Sequence, residues 1–328
     1  MQRGYIPGQN GNGRKKQRDY SYTPATQKRR RLLFVCAILL AGVMIFSTWQ
    51  LISYAVDYFA AKQASSQLRE MYYQSAEEPT AVPEVTATPE PTATLAPQTT
   101  AAPTPEPATT LEKMKYPGNP YSLTQESFRK LRRQNGDIIG WMSIEGLLDE
   151  AVVQKDNTYY LRRDYRGFHN VNGALFLDES ITLNTRPYTL YVYGHNMKTG
   201  AMFGSLRNYE NLKFYQNNAF ITFNTMYEDG RYVIFSVTEL STNARDRNYF
   251  SFGRLNSDNI AWRREGISDL KSHSIYFTEI DVQPEDQILL LITCVDDEEE
   301  RRVVAARRVR EGEKEETLQR KINTARKW

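Results

Sequence analysis

The sequence predicts a mainly β domain, a closed barrel or sandwich of eight short strands with few helices, set behind an N-terminal apolar helix. Three observations point that way. Between residues 138 and 309 lie eight short segments rich in Val, Ile, Tyr and Phe and separated by Gly, Asn and Asp, the pattern of strands and turns. Leu32 to Val56 is a run of 25 residues without a charge. Pro79 to Thr110 holds eight Pro, ten Thr and seven Ala in 32 residues, and no aromatic. Such a segment cannot bury enough apolar surface to offset its ordering entropy.

The elements follow in chain order. Residues 1–31 carry nine Lys or Arg and one acid, a charge of +8, so the rest of a chain with net charge +3 sums to −5. The basic excess is therefore a tail and not a nucleic-acid surface on the folded domain. As a helix, residues 32–56 would span roughly 37 Å, enough for a bilayer with some tilt. Lys28 to Arg31 abut the run, and Trp49 and Tyr54 lie toward its far end. The positive-inside rule then puts the tail in the cytoplasm and the rest outside a single-pass span that contacts membrane lipid. Residues 57–78 continue as a juxtamembrane helix. Residues 79–110 read as a polyproline-type stalk, 111–310 as the folded domain, and 311–328 as a charged C-terminal tail.

The folded domain opens with a helix. Ser122-x-x-Gln125 reads as a capping box, Phe128 and Leu131 share a face, and Gly136 fits a C-terminal stop. The eight expected strands are 138–144, 151–154, 174–177, 189–194, 219–224, 232–240, 287–294 and 302–309. Asn256–Leu270 is the later stretch with a helical pattern, with Ile260, Ile267 and Leu270 as its apolar positions.

Cysteine arithmetic points to the chemistry. Cys36 lies in the apolar run, so Cys294 is left outside without an intrachain disulfide partner. A leftover cysteine in an exported domain is an intermolecular disulfide partner, a reactive thiol or a buried small hydrophobe. A thiol nucleophile needs a base or an imidazolium beside it. Of His169, His195 and His273, His195 ends an apolar strand and begins a polar loop, a usual address for catalytic groups. An Arg that holds the developing oxyanion would complete such a site. Arg301 begins the strand after Cys294, on one face with Val303, Ala305 and Arg307. The sequence has no P-loop, dinucleotide fingerprint or H-E-x-x-H. Three scattered His and one available Cys make no closed zinc site, and the acidic run 296–300 reads as a solvated loop. No cofactor or metal is expected.

These residues coincide with a known pattern. Tyr193-Gly194-His195-Asn196-Met197-Lys198, followed by Gly200, Met202-Phe203-Gly204 and Leu206, resembles the histidine segment of class B sortases. Leu291-Ile292-Thr293-Cys294 resembles their cysteine strand, and Arg301-x-Val-Val-x-Ala-Arg307 their arginine strand. Gly140-Trp141-Met142-x-Ile144, Val153-Gln154-x-x-Asn157-x-Tyr159-Tyr160-Leu161 and Ala174-Leu175-Phe176-Leu177-Asp178 look like the same class. The resemblance covers about residues 115–310, with 99 residues from His195 to Cys294.

The resemblance implies an eight-stranded sortase-type barrel with an N-terminal helix and a helix before the cysteine strand. It implies a membrane-anchored transpeptidase at the outer face of a Gram-positive membrane. Cys294 would attack the Thr carbonyl of a C-terminal sorting signal, and the thioacyl-enzyme would pass to an amine of a peptidoglycan precursor or of a pilin. His195 would serve as acid and base, and Arg301, which keeps the family spacing better than Arg302, would hold the oxyanion. Asn157, Leu161 and Thr293, with Tyr249 and Phe250 from the long connection, would line the signal pocket. The competing readings are a catalytically inactive stalked binding module of the same shape, or another Cys/His cell-wall peptidase.

Overall fold

A computed structural model of the chain describes residues 24–77, 110–294 and 300–328. Most of the basic tail, the expected stalk up to residue 109 and residues 296–299 of the acidic run lie outside the described residues. The chain divides into two units, Met1–Asp57 and Tyr58–Trp328. One helix, α1 (Pro24–Glu77), enters both. In the first unit its large apolar side chains from Leu32 to Val56 are exposed. Among the described residues this is the one helix long and apolar enough to cross a membrane.

In the second unit the elements run α2 (Glu126–Gln134), β1 (Ile138–Ile144), β2 (Leu148–Val153), β3 (Leu175–Leu177), β4 (Thr189–His195), α3 (Leu212–Asn217), β5 (Phe220–Thr225) and β6 (Arg231–Ser241). They continue as α4 (Ile260–Ser272), β7 (Tyr276–Phe277), β8 (Ile288–Cys294), β9 (Glu300–Arg308), α5 (Glu315–Asn323) and β10 (Arg326–Lys327). Eight strands close a barrel in the order β1-β2-β3-β4-β8-β9-β6-β5, while β7 and β10 pair separately. The expected eight strands are the eight of the barrel, and closure decides between barrel and sandwich. Two of the contacts are parallel, β2 with β3 and β4 with β8.

Side-chain alternation explains why several strands read as unbroken apolar runs. Met142, Val152, Leu175 and Leu177 join the main core, which continues under α4 and α5. Their neighbours Trp141, Ala151, Val153 and Phe176 form a second cluster with Phe128 and Leu131 of α2 and with Leu68 and Tyr72 of α1. Both faces of β1–β3 are thus covered, one by the barrel interior and the other by two helices.

The helix ends differ from the sequence expectation. Ser122 does not cap α2: it has φ 50°, and its hydroxyl donates to the Asn184 carbonyl at 3.4 Å. Gln125 takes the N-cap position, with its amide donating to the Thr225 carbonyl at 2.9 Å. The helix stops at Asn135 rather than through Gly136, because Asn135 turns extended and ties itself to Tyr160 and Asp137. The later helix starts at Ile260, where Asn259 accepts from the Trp262 amide at 3.0 Å. Buried Arg263 fastens it to the barrel through Thr189 Oγ1 at 2.8 Å and the Pro284 carbonyl at 2.7 Å. Burial pulls this guanidinium down to about 10. In the last residues α5 buries Leu318 and Ile322.

Candidate active site

The site grows from one end of β4. Its sequence, TLYVYGH, is buried up to Val192 and again at Gly194. Gly194 is needed there: a Cβ would come within 2.6 Å of Leu175 Cδ2 and 2.9 Å of the Phe203 ring, closer than side chains pack. This lets the loop after His195 fold tightly back. Asn196 bridges Met202, and the Arg207 guanidinium donates to the Gly204 and Met197 carbonyls at 2.6 and 2.5 Å. Phe203, Leu206 and Tyr209 anchor the following turn in the core.

His195 Nε2 lies 2.6 Å from the Leu161 carbonyl. A carbonyl only accepts, so Nε2 carries a proton in this arrangement and Nδ1 is the nitrogen left for other work. Such a partner leaves no trace in the sequence, because a backbone carbonyl carries no residue signature. His169 bridges Arg163 in an exposed loop, and His273 closes α4 with its Nδ1–H donating to the Asp269 carbonyl at 2.9 Å.

Parallel pairing of β4 and β8 runs in register from Thr189–Ile288 to His195–Cys294. The backbones of His195 and Cys294 are therefore neighbours where the two strands end. The β8–β9 ladder is antiparallel and runs from Ile288–Arg307 to Ile292–Val303. Arg301 lies two residues beyond Val303, as Cys294 lies two beyond Ile292. Arg302 falls on the other face, opposite Glu239 on β6. There it makes ion pairs with Glu239 at 2.6 Å and Glu210 at 2.5 Å.

The remaining sequence candidates take different places. Thr293 is 1 % exposed, and its Oγ1 accepts the Arg302 amide at 3.0 Å, which pins the start of β9. Asn157 is turned to the β3 exit, donating to Asp178 at 3.2 Å and accepting the Glu179 amide at 2.9 Å. Leu161 packs against the second cluster. Tyr249 is 41 % exposed, whereas Phe250 is 3 % exposed and packs on Phe252 in the main core. Among the described residues no group of three or more His, Cys, Asp or Glu is placed to hold a metal ion.

Comparison with known proteins agrees with this arrangement. The Sortase domain family model matches residues 142–309, half of the chain. Sortase B of Listeria monocytogenes is 28 % identical over 172 residues, covering 52 % of this chain and 68 % of that protein. The Staphylococcus aureus sortase B–substrate complex aligns with a TM-score of 0.51 at 26 % identity, over 58 % of this chain and 88 % of that one. A Bacillus anthracis sortase B structure shares the fold with a TM-score of 0.56 at 22 % identity, over 76 % of this chain and 96 % of that one. An eight-stranded barrel whose parallel β4–β8 ladder ends at His195 and Cys294 fits that company, and the chain belongs to the sortase family as a class B sortase, a cysteine transpeptidase of cell-wall anchoring.

Proposed function

We propose that the chain is a single-pass membrane enzyme with its tail in the cytoplasm, its catalytic domain outside, and Cys294, His195 and Arg301 as its reacting set. The substrate is a peptide sorting signal near the C-terminus of an exported protein. The Cys294 thiolate attacks the carbonyl carbon of a Thr in that signal. Arg301 stabilises the charge that develops on the carbonyl oxygen. The C–N bond then breaks, and His195 delivers a proton to the departing amine. The resulting thioacyl group is taken by an amine of a peptidoglycan precursor or of a pilin, which gives a proton to His195 as the C–S bond breaks. Asn157, Leu161, Thr293 and Tyr249 shape the pocket, and Phe250 supports Tyr249 from beneath.

The observation that carries this reading is the in-register pairing of His195 with Cys294. That the S. aureus relative is a substrate complex supports a peptide as the bound class. The test is cleavage of a panel of sorting peptides by the purified full chain. Cys294→Ala is expected to abolish cleavage, with circular dichroism and melting temperature unchanged. Equal cleavage by the Ala variant overturns the mechanism.

A further inference from the structure

We propose that the loop from Arg162 to Val171, with Lys62 of α1, is a second contact of the catalytic domain with an anionic lipid surface, beside the catalytic histidine. This rests on the reading of Leu32–Val56 as a membrane span.

Placement is the first support. Tyr58, Ala61 and Lys62 share a cleft of about 220 Å³ with Asp164, Tyr165 and Asn170 of the loop. The Tyr165 hydroxyl also donates to the Ala64 carbonyl at 3.3 Å. Residues 58–62 come two to six positions after the apolar run ends at Val56. At about 1.5 Å per helical residue that is roughly 3–9 Å of helix, comparable to the roughly 5–8 Å of headgroup layer on each side of the hydrocarbon. Ala64, Leu68 and Tyr72 are then buried on the barrel. The loop is thus held against residues that follow the apolar run within six positions of the chain.

Chemistry is the second support. Phe168 is 65 % exposed and Val171 37 % exposed at the loop's tip. Lys155, Arg162, Arg163 and Arg166 lie in this loop or just before it, with the acids Asp156 and Asp164. Lys155 Nζ lies 3.7 Å and the Arg163 guanidinium 4.5 Å from the centre of one ring, that of Tyr159. Arg166 lies 5.1 Å over Phe168 while paired with Asp164 at 2.6 Å. Cations stacked on rings around an apolar tip suit the boundary between hydrocarbon and anionic headgroups, where a groove for an acidic peptide would have no use for a protruding Phe. Leu161 adjoins this loop and its carbonyl holds His195, so the contact would turn the reacting set toward substrates presented at the membrane.

The test uses the full chain with Cys36→Ser and Cys294→Ala, and one dye-bearing cysteine at Phe168→Cys or, as control, at Trp262→Cys. Trp262 is 60 % exposed on α4, whose Arg263 binds Thr189 at the far end of β4. The chain is placed in vesicles of phosphatidylglycerol and phosphatidylcholine that carry a headgroup-level quencher. Flotation with the vesicles checks the span itself, and a chain that fails to float overturns the span reading. For a floating chain, quenching at 168 is expected to exceed that at 262 at least fivefold, and to fall severalfold in phosphatidylcholine alone. No excess at 168 overturns the contact. Equal quenching in the two lipids overturns its anionic character.

Discussion

Successive residues of a strand face opposite ways, so Arg301 and Arg302 cannot do the same work. Arg302 is spoken for by two carboxylates, Glu210 and Glu239, whose own side chains are 61 % and 54 % exposed. Exposed pairs of this kind contribute about 0–1 kcal/mol each. Arg301 lies two residues past the Ile292–Val303 end of the β8–β9 ladder, as Cys294 does on β8. An Arg301→Ala change is expected to lower kcat/KM by about 100- to 1000-fold, the scale of a lost oxyanion donor. Arg302→Ala should cost less than about tenfold and act mainly on stability. If Arg302→Ala is the more damaging change in peptide cleavage, the register beyond Ile292 is displaced by one residue. At this scale Cys294 and His195 stand out in the sequence because it offers so few of each residue type. The partner of His195 does not, since it is the main chain of Leu161. Phe250 shows another limit: an aromatic in a long connection reads the same whether it lines a groove or, as here, fills the core.

Among the elements, the C-terminal half of α1 shows how a helix joins a barrel. Ala64, Leu68, Tyr72 and Ser75 recur at helical spacing and are its buried positions. Tyr72 stacks on Trp141 with centroids 4.7 Å apart and planes 8° apart, and its hydroxyl accepts from Asn224 at 2.8 Å. Arg69 pairs with Asp149 at 2.9 Å, and Asp149 also accepts the Trp141 indole N–H at 2.6 Å. Most of the holding energy lies in the aromatic stack and the area it buries, because the ion pair is partly solvated. Tyr72→Ala should therefore weaken docking by about 3–5 kcal/mol, the range for buried aromatic truncation. Tyr72→Phe should cost only about 1 kcal/mol for the hydrogen bond. Hydrogen exchange of the full chain in detergent checks this: protection of residues 60–77 should fall in the Ala variant while β4 and β8 keep theirs. Equal loss in all three segments would mean that the helix is part of the barrel's own cooperative unit. The eight strands were legible because their apolar, β-branched runs are bounded by turn residues. Helix ends were not, because Ser122-x-x-Gln125 forms a capping box only if Ser122 takes the N-cap backbone, and its φ of 50° takes it elsewhere.

For the molecule as a whole, acid should first help the fold and then undo it, because carboxyls at two sites are shifted in opposite directions. Glu150 sits between α1 and β2, accepting from Ser65 with Arg69 nearby. Burial raises its pKa above the ordinary 4.5, against the lowering effect of those two partners. Its charged form is a cost to the fold that is present above the raised pKa and relieved as pH falls through it. At the other side of the molecule a clasp holds the segment after β9. Arg310 binds Asp281 at 2.6 Å and Asp286 at 2.7 Å, and fully buried Arg307 binds Glu313 at 2.7 Å. Burial works to raise Asp281, but the hydrogen bond and charge of Arg310, with Arg307 and Lys321, outweigh it and hold the carboxyl down at about 2. Glu313 is lowered in the same way, chiefly by its hydrogen bond from Arg307. These depressed groups stabilise the fold at pH above their unfolded values of 3.8 and 4.5, and that contribution is lost as pH falls toward about 2. The urea midpoint of the detergent-solubilised chain, followed by tryptophan fluorescence, should thus hold or rise on acidification from neutral pH toward about 4.5 and drop below it. Glu150→Gln should flatten the upper window alone. Asp281→Asn should lower the midpoint at neutral pH and shrink the drop below pH 4, since the variant has already lost what acid removes. A midpoint that declines steadily from neutral pH, with a slope that Glu150→Gln leaves unchanged, would place the balance of acid sensitivity in the clasp and remove Glu150 from it.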